Sequence, residues 1–292
     1  MKTFYSQTIT FSFLIAIFLS SCVVSEEKES DLTDGKLKGN IKSIIDKNYY
    51  ATQSFGEIEK DTSSLMSVSE KEYNKSGNLI MYKKTAFNPD NDPSSFTQYT
   101  YLYNEKQEHV ESIEYNDVGR KVSSSINIYD ETGNNIKTTN YEDGAINNVY
   151  KKKYNKNNQL ESKQHYYAGG DASISYSYEY DNLGNNIEEI IFYADGDLMY
   201  TFKRKYDIHN NIIEEIKYDD SGAIIQQEEY QYDKEGSLML FYSEIKYTEE
   251  GEDYWSMDYE YDEVDDQGNW ITVKKTSSKK FYSVMSRKIE YY

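Results

Sequence analysis

Cysteine, histidine and proline are scarce in this sequence of 292 residues. Cys22 is the single cysteine, which excludes an intramolecular disulfide and a thiolate metal cluster. The three histidines, His109, His165 and His209, are too far apart in the sequence to form a local metal-binding pattern, so no metal site is predicted. The chain must therefore be stabilised by its core and its strand pairing.

Basic residues and long apolar runs are also few. Lys and Arg number 32 against 51 Asp and Glu, and the resulting net charge of −19 argues against nucleic acid as a partner. A mean hydropathy of −0.87 argues against a deep aliphatic core. The sequence contains neither a Gly-x-Ser-x-Gly elbow nor a glycine-rich phosphate loop, so no catalytic residue, no enzyme activity and no cofactor are predicted.

The N-terminus has the parts of a secretory signal. Lys2 precedes an apolar run from about residue 9 to residue 19, which is too short to span a bilayer. The residues Leu19-Ser20-Ser21-Cys22 resemble the lipobox of bacterial lipoproteins, which implies a signal peptide over 1–21 and a lipid on Cys22. We therefore expect a membrane as a partner, through this anchor.

The segment 22–39 is polar and acidic, and we expect it to be a lipidated flexible tether. Its residues Glu26, Glu27 and Glu29 resemble the surface-export signals of lipoproteins in the Bacteroidetes group. The expected location is accordingly the outer membrane or the cell surface. The remaining chain, 40–292, is predicted to be one β domain.

Tyrosine is abundant and it recurs with a fixed period. The segments 129–136 (YDETGNNI) and 180–187 (YDNLGNNI) are the clearest copies of a motif that begins with Tyr-Asp. Tyrosines 25 or 26 residues apart carry the register, namely Tyr103, Tyr129, Tyr154, Tyr180, Tyr206 and Tyr232. The last copy is assigned to Tyr261-Asp262, with an insertion before Gly268. The structural unit is therefore about 26 residues long.

Each unit contains two strands and two turns. In 173–180, Ile174, Tyr176, Tyr178 and Tyr180 alternate with Ser or Glu, and this period of two indicates a half-buried strand. Asp or Asn followed by Gly or Asn is typical of tight turns. We predict an all-β fold, a continuous antiparallel meander of about eighteen strands curled into a rolled or barrel-like sheet.

The Tyr-Asp-x-x-Gly-Asn pattern resembles the YD repeats of the RHS family over about residues 57 to 276, although the arginine that commonly follows the glycine occurs only at Arg120. The framing segments near Gly39-Asn40-Ile41 and Arg287-Lys288-Ile289 look like those of small YD-repeat lipoproteins from Bacteroidetes. Large members of the family form shells around a toxin, and this chain is too short to enclose one.

The aromatic face is the best candidate for function, because rings on a rigid sheet stack on sugars or grip a peptide. The candidate ligand-binding residues are Tyr176, Tyr178, Tyr200, Tyr230, Trp255 and Trp270. The same tyrosines must also supply the core, and this structural role competes with the functional one. Two acidic loops, 88–95 and 262–269, hold oxygen ligands suited to calcium, but solvated surface insertions explain them better.

Together these patterns predict a non-enzymatic envelope lipoprotein that presents a tyrosine-rich β surface for binding or scaffolding, with a glycan or a protein as ligand. Two other hypotheses remain open. One is a polysaccharide-acting enzyme, for which inward members of the pairs Glu188-Glu189, Glu214-Glu215 and Glu228-Glu229 would have to meet. The other is a reduced relative of the RHS toxin shells that acts in competition or immunity. The oligomeric state is left open.

Overall fold

A computed structural model of the chain describes residues 30–34, 36–234, 236–248, 251–279 and 282–292. The predicted signal peptide and Cys22 lie outside these residues. A short helix, α1 (Asp31–Asp34), precedes eighteen strands. The strands are β1 (Ile41–Ser54), β2 (Glu57–Tyr73), β3 (Leu79–Phe87), β4 (Pro93–Tyr103), β5 (His109–Tyr115), β6 (Lys121–Tyr129), β7 (Asn135–Glu142), β8 (Ala145–Tyr154), β9 (Leu160–Tyr167), β10 (Ala172–Tyr180), β11 (Asn186–Phe192), β12 (Leu198–Tyr206), β13 (Ile212–Tyr218), β14 (Ile224–Tyr232), β15 (Leu238–Thr248), β16 (Gly251–Val264), β17 (Trp270–Ser277) and β18 (Tyr282–Tyr291).

The strands form one closed antiparallel barrel. Each strand pairs with the next in the chain, and β1 also pairs with β18, from Ile41 opposite Tyr291 to Tyr50 opposite Ser283. The predicted all-β meander is therefore confirmed, and the sheet closes upon itself. Closure removes the two exposed sheet edges that an open meander of this size would leave.

The two faces of β12 differ in burial, as the alternation in the sequence predicts. On β12 the side chain of Arg204 is 15% exposed, whereas those of Lys203 and Lys205 are 58% and 70% exposed. Tyr200, Phe202 and Tyr206 share the parity of Arg204. We call this more buried face the inner wall, because side chains inside a barrel crowd one another while those outside diverge.

The Tyr-Asp motif forms the turns at one end of the barrel, which we call the Y-D rim. In the turn after β10, the Asp181 amide donates to the carbonyl of Asn185 at 2.9 Å, and Asp181 Oδ1 accepts from the amides of Leu183 and Asn185 at 2.9 Å. The glycine of the motif, Gly184, has a φ of +91°. Where the sequence lacks that glycine, Asn210 adopts a φ of +62°, because asparagine tolerates the left-handed region.

The motif tyrosine connects consecutive turns of the Y-D rim. Tyr206 Oη, on β12, donates to the carbonyl of Asn186, the first residue of β11, at 2.7 Å. The same bond recurs at distances of 2.8 to 3.0 Å for Tyr103 with Leu79, Tyr129 with His109, Tyr154 with Asn135 and Tyr180 with Leu160. The 26-residue period therefore has a structural cause, since each unit bonds to the one before it.

Residues 30–34 and 36–39, which we call the N-terminal strap, contact the Y-D rim. The Leu32 amide donates to the carbonyl of Gly77 at 3.2 Å, and the Lys38 amide donates to Asn269 Oδ1 at 2.8 Å. Lys36 Nζ donates to the carbonyl of Gly236 at 3.2 Å. These acceptors lie in three different turns, so the strap runs across that end of the barrel. It is the described part of the predicted tether 22–39, and it contacts the barrel from Ser30 onward.

Buried apolar side chains concentrate where the strap meets the barrel. Leu32 (5% exposed) packs with Ile41, Ile44 and Tyr73, which are 0%, 1% and 3% exposed. Besides these four, only Val273 and Val284 are buried hydrophobic residues in the described part of the chain. The low hydropathy of the sequence is consistent with this arrangement, in which strand pairing replaces a large apolar core.

One assignment made from the sequence is wrong in detail. Tyr261 and Asp262 lie within β16, which continues to Val264 through two register shifts. The turn aspartate is Asp265, whose amide donates to the carbonyl of Asn269 at 2.9 Å. The extra residues assigned to an insertion before Gly268 are therefore accommodated in a strand, since a bulge absorbs extra residues without breaking the pairing.

Candidate functional site: the inner wall of the barrel

The inner wall combines aromatic rings with charged side chains. Barrels of 16 to 18 strands are wide enough to leave an aqueous channel. The interior of this barrel is consistent with such a channel, because most of its tyrosines are only partly buried. Its surface is therefore a wall exposed to water and not a dry core.

Three of the predicted ligand-binding rings lie beneath cations. Lys163 Nζ is 3.7 Å from the ring centroid of Tyr176, and Lys217 Nζ is 3.7 Å from that of Tyr200. The Arg287 guanidinium carbon is 3.5 Å from the ring centroid of Trp270. These cation–π contacts hold the rings in place and keep a positive charge beside each of them.

Two further candidates belong to an aromatic row on β14 to β16. The rings of Tyr230 and Phe241 are 5.3 Å apart, and those of Phe241 and Trp255 are 5.1 Å apart, at separations typical of favourable aromatic pairs. Phe241 thus joins two predicted residues that lie 25 positions apart in the sequence. Tyr178 lies apart from this row, on β10 opposite Glu189.

The paired glutamates have one inward member each, as the alternation requires. Glu189 and Glu215 face inward, and Arg204 lies between them, with its Nη2 3.1 Å from Glu189 Oε2 and its Nε 2.5 Å from Glu215 Oε2. Arg204 also donates to the side chain of Asn186. A guanidinium that neutralises both carboxylates favours a structural role for them over acid–base catalysis.

Burial changes the acid–base properties of the inner wall. Burial, and then the negative charge of Glu189, raises the pKa of Tyr178. Burial raises the pKa of Tyr73 to about 12. Burial lowers the pKa of Lys152 and of Lys163, which also repel each other across adjacent strands. Tyr73 and Tyr178 therefore stay neutral at physiological pH.

The cationic side chains of the inner wall are the feature that the sequence analysis missed. Arg204 and Lys163 were not selected, although Arg204 has the same parity as Phe202 and Tyr206 on its strand. Strand parity alone is the signal that could have found them. His109 begins β5, and its ring lies 5.5 Å from that of Tyr103.

The two acidic loops form ordinary turns. Asn88 Oδ1 accepts from the amides of Asp90 and Asp92 at 3.0 and 2.9 Å, and Asp265 Oδ1 accepts from the amide of Asn269 at 2.9 Å. Within the described ranges, no group of three or more His, Cys, Asp or Glu side chains is arranged to hold a metal ion. The described helix is neither long nor apolar enough to cross a membrane.

Fold and interior together define a closed 18-stranded antiparallel β-barrel with a polar, tyrosine-lined wall. No family model and no curated protein matches the chain. Among solved structures, it is similar to a porin-like protein from Bacteroides uniformis, with 12% identity, a TM-score of 0.47 and coverage of 87% of this chain and 99% of that one. A porin-like protein from Bacteroides vulgatus gives 11% identity, a TM-score of 0.34 and coverage of 86% and 98%.

The chain is also similar to part of the Photorhabdus luminescens Tc holotoxin pore, with 14% identity and a TM-score of 0.29. That match covers 82% of this chain and 14% of the other. Likeness at this level assigns no function to the chain.

Proposed function

We propose that this protein is a non-enzymatic envelope lipoprotein whose barrel stands in water, is held at a membrane by a lipid on Cys22, and binds a carbohydrate along its inner wall. The observation that carries the proposal is the contrast between its two faces. The outer face carries exposed lysines and ion pairs, and the inner face presents rings, charged groups and other hydrogen-bonding groups to a channel.

The outer face argues for a barrel outside the bilayer. Ion pairs occur on it at separate places, with Lys42 and Glu290 at 2.9 Å on the β1–β18 seam and Lys203 and Glu188 at 3.1 Å on β11–β12. A lysine facing lipid at the bilayer centre costs about 2–4 kcal/mol. Lys205, 70% exposed, would have to be placed in lipid as well.

Strand length supports the same conclusion. Strands β5, β11 and β13 have 7 residues each. A strand that crosses a bilayer needs about 9–11 residues. The barrel wall is therefore too short on these strands to cross a membrane, and the attachment must come from elsewhere in the chain. The predicted lipid on Cys22 would supply it.

The inner wall suits a carbohydrate better than an extended peptide. Flat tyrosine rings offer faces for sugar rings, and the surrounding Asn, Ser and charged side chains offer hydrogen bonds to hydroxyl groups. A peptide added as a strand needs an unpaired sheet edge. The closed barrel has no such edge among its described strands.

Membrane attachment is tested by fractionation of the full chain and of Cys22→Ser in the native envelope. We expect the wild-type protein in the membrane fraction after an alkaline carbonate wash, and Cys22→Ser in the soluble fraction or as an unprocessed precursor. The wash separates attachment by a lipid from insertion of the barrel, because a barrel that crosses the bilayer would stay in the membrane without its lipid. Retention of a Cys22→Ser chain whose signal peptide has been cleaved would refute the proposal, because an uncleaved signal peptide would itself hold the precursor in the membrane.

Ligand binding is tested with a glycan array on Cys22→Ser and with two matched tyrosine variants. Tyr200 lies under Lys217 on the inner wall, and Tyr166 lies under Lys151 on the outer face at 4.6 Å from its ring centroid. We expect Tyr200→Ala to weaken glycan binding by about tenfold, the loss of about 1.4 kcal/mol, and Tyr166→Ala to leave it unchanged. Equal effects of the two variants would contradict binding inside the barrel.

A further inference from the structure

A part of the inner wall near the barrel seam is strongly cationic. Lys71 on β2, Lys84 on β3, Lys275 on β17 and Arg287 on β18 surround one carboxylate, that of Asp46 on β1. We call these four cations the basic wall. In a chain with a net charge of −19, this concentration of positive charge is of the opposite sign to the rest of the molecule.

The one carboxylate of this region is already paired with Arg287. Arg287 Nε and Nη2 donate to the two oxygens of Asp46 at 2.7 and 2.8 Å, in a bidentate pair. Lys71 and Lys275 form no ion pair with any described residue. Burial lowers the pKa of both lysines, and the charge of Arg287 lowers it further, although Asp46 acts in the opposite direction. An anion placed beside them would therefore relieve an unfavourable charge arrangement.

Each of these two lysines faces a tyrosine across the sheet. Lys71 is opposite Tyr82 on β3, and Lys275 is opposite Tyr259 on β16, with Lys275 Nζ 5.7 Å from the ring centroid of Tyr259. Water reaches this wall, because Lys84 is exposed while it faces the channel. A ring and a cation thus lie side by side at two places on this wall.

We propose that the basic wall binds an anionic oligosaccharide, whose sugar rings lie against Tyr82 and Tyr259 and whose acidic groups pair with Lys71, Lys84 and Lys275. This inference rests on the proposed carbohydrate binding and specifies the class of sugar. An acidic sugar matches both features of this wall. Its flat face packs on a tyrosine ring, and its negative charge pairs with a lysine ammonium group. A neutral sugar would leave the cations uncompensated.

The test compares two double variants in the Cys22→Ser background. Lys71→Gln/Lys275→Gln removes two charges from the basic wall, and Lys203→Gln/Lys205→Gln removes two charges from the outer face. The probes are oligogalacturonate, which carries carboxylates, heparin oligosaccharides, which carry sulfates, and neutral maltodextrin. Calorimetry gives the affinity, and the thermal midpoint of each variant shows that it remains folded.

We expect at least one acidic probe to bind more tightly than maltodextrin, and the preferred probe identifies the carboxylate or the sulfate as the acidic group. Lys71→Gln/Lys275→Gln should weaken that binding by at least about tenfold, whereas the outer-face variant should stay within about twofold. The midpoint should not fall in Lys71→Gln/Lys275→Gln, because the variant removes cations that repel Arg287.

Three results would overturn the inference. Maltodextrin binding as tight as that of the acidic probes and insensitive to Lys71→Gln/Lys275→Gln would refute the acidic ligand and leave carbohydrate binding standing. Equal loss of acidic-probe binding in both double variants would show that overall charge, and not the basic wall, controls it. Absence of binding to every probe and to the glycan array would refute both this inference and the proposed function.

Discussion

At the scale of single residues, tyrosine has two separate roles in this barrel. The motif tyrosines, of which Tyr206 is one, donate their hydroxyls to the backbone of the preceding unit. Others, such as Tyr176 and Tyr200, have their faces beneath lysines. The first role explains the period of the sequence, and the second places rings and charges on the inner wall. Abundant tyrosine is therefore a requirement of the fold before it is a sign of binding.

The structural role of the motif tyrosine is tested by Tyr206→Phe. The variant keeps the ring and removes the bond to the carbonyl of Asn186, so we expect a loss of about 0.5–1.5 kcal/mol in the free energy of unfolding, measured by urea denaturation. Tyr193→Phe is the control, because Tyr193 is 49% exposed. An equal effect of both variants would show that the bond contributes nothing specific.

At the scale of the element, turns at both ends of the barrel depend on a side-chain oxygen that accepts backbone amides. Asp219 Oδ1 accepts from the amides of Ser221 and Ala223 at 3.0 and 2.9 Å, and from the Ser221 hydroxyl at 2.7 Å. Asn155 performs the same task in another turn, with bonds of 2.9 and 3.0 Å to the amides of Asn157 and Gln159. The turn therefore requires the oxygen and does not require the charge.

The turn carboxylates make stability depend on pH. The Ser221 hydroxyl and the backbone amides lower the pKa of Asp219 in the folded state. A carboxyl with a lowered folded-state pKa contributes stability above its unfolded pKa of about 3.9, and that stability is lost as the pH falls through the folded value. We expect the free energy of unfolding of Asp219→Asn to fall less steeply than that of the wild type as the pH drops below about 4. Asp220→Asn is the neighbouring control. If its stability also became less dependent on pH in acid, to the same degree, the role given to Asp219 would be contradicted.

Strands and turns were predictable from the sequence because both depend on local patterns. The alternation in 173–180 and the repeated Asp-x-x-Gly turn correctly indicated β10 and the turn after it. The bulges at the strand ends, such as that between Lys205 and Tyr206, have no such signal. The positions of Arg204 and Lys163 required only strand parity, whereas the contacts they make required the structure.

At the scale of the whole molecule, closure could not be predicted from the repeat. The seam joins residues at opposite ends of the chain, since Asp46 on β1 pairs with Arg287 on β18. A repeat of identical units continues equally well as an open sheet or a closed one, and the choice depends on pairing between its two ends. This buried ion pair lies in the seam, with side-chain exposures of 9% and 10%.

The contribution of the seam is tested by Asp46→Asn. The variant leaves Arg287 without its carboxylate, and breaking a buried pair in this way costs about 3–5 kcal/mol. We therefore expect a large drop in the thermal midpoint, measured by calorimetry. Asp143→Asn is matched to it, because Arg120 and Asp143 form an ion pair at 2.9 Å that is 67% and 72% exposed. Such surface pairs contribute little, so a comparable drop in both variants would contradict the role of the seam.

The N-terminal strap also determines which way the barrel would point. It contacts the Y-D rim, and only eight peptide bonds separate Ser30 from Cys22, which fully extended reach about 28 Å. A lipid on Cys22 would therefore tether the molecule by its Y-D rim, with that end toward the bilayer. The opposite mouth would open outward, and anything that enters the channel from the surroundings would come through that mouth.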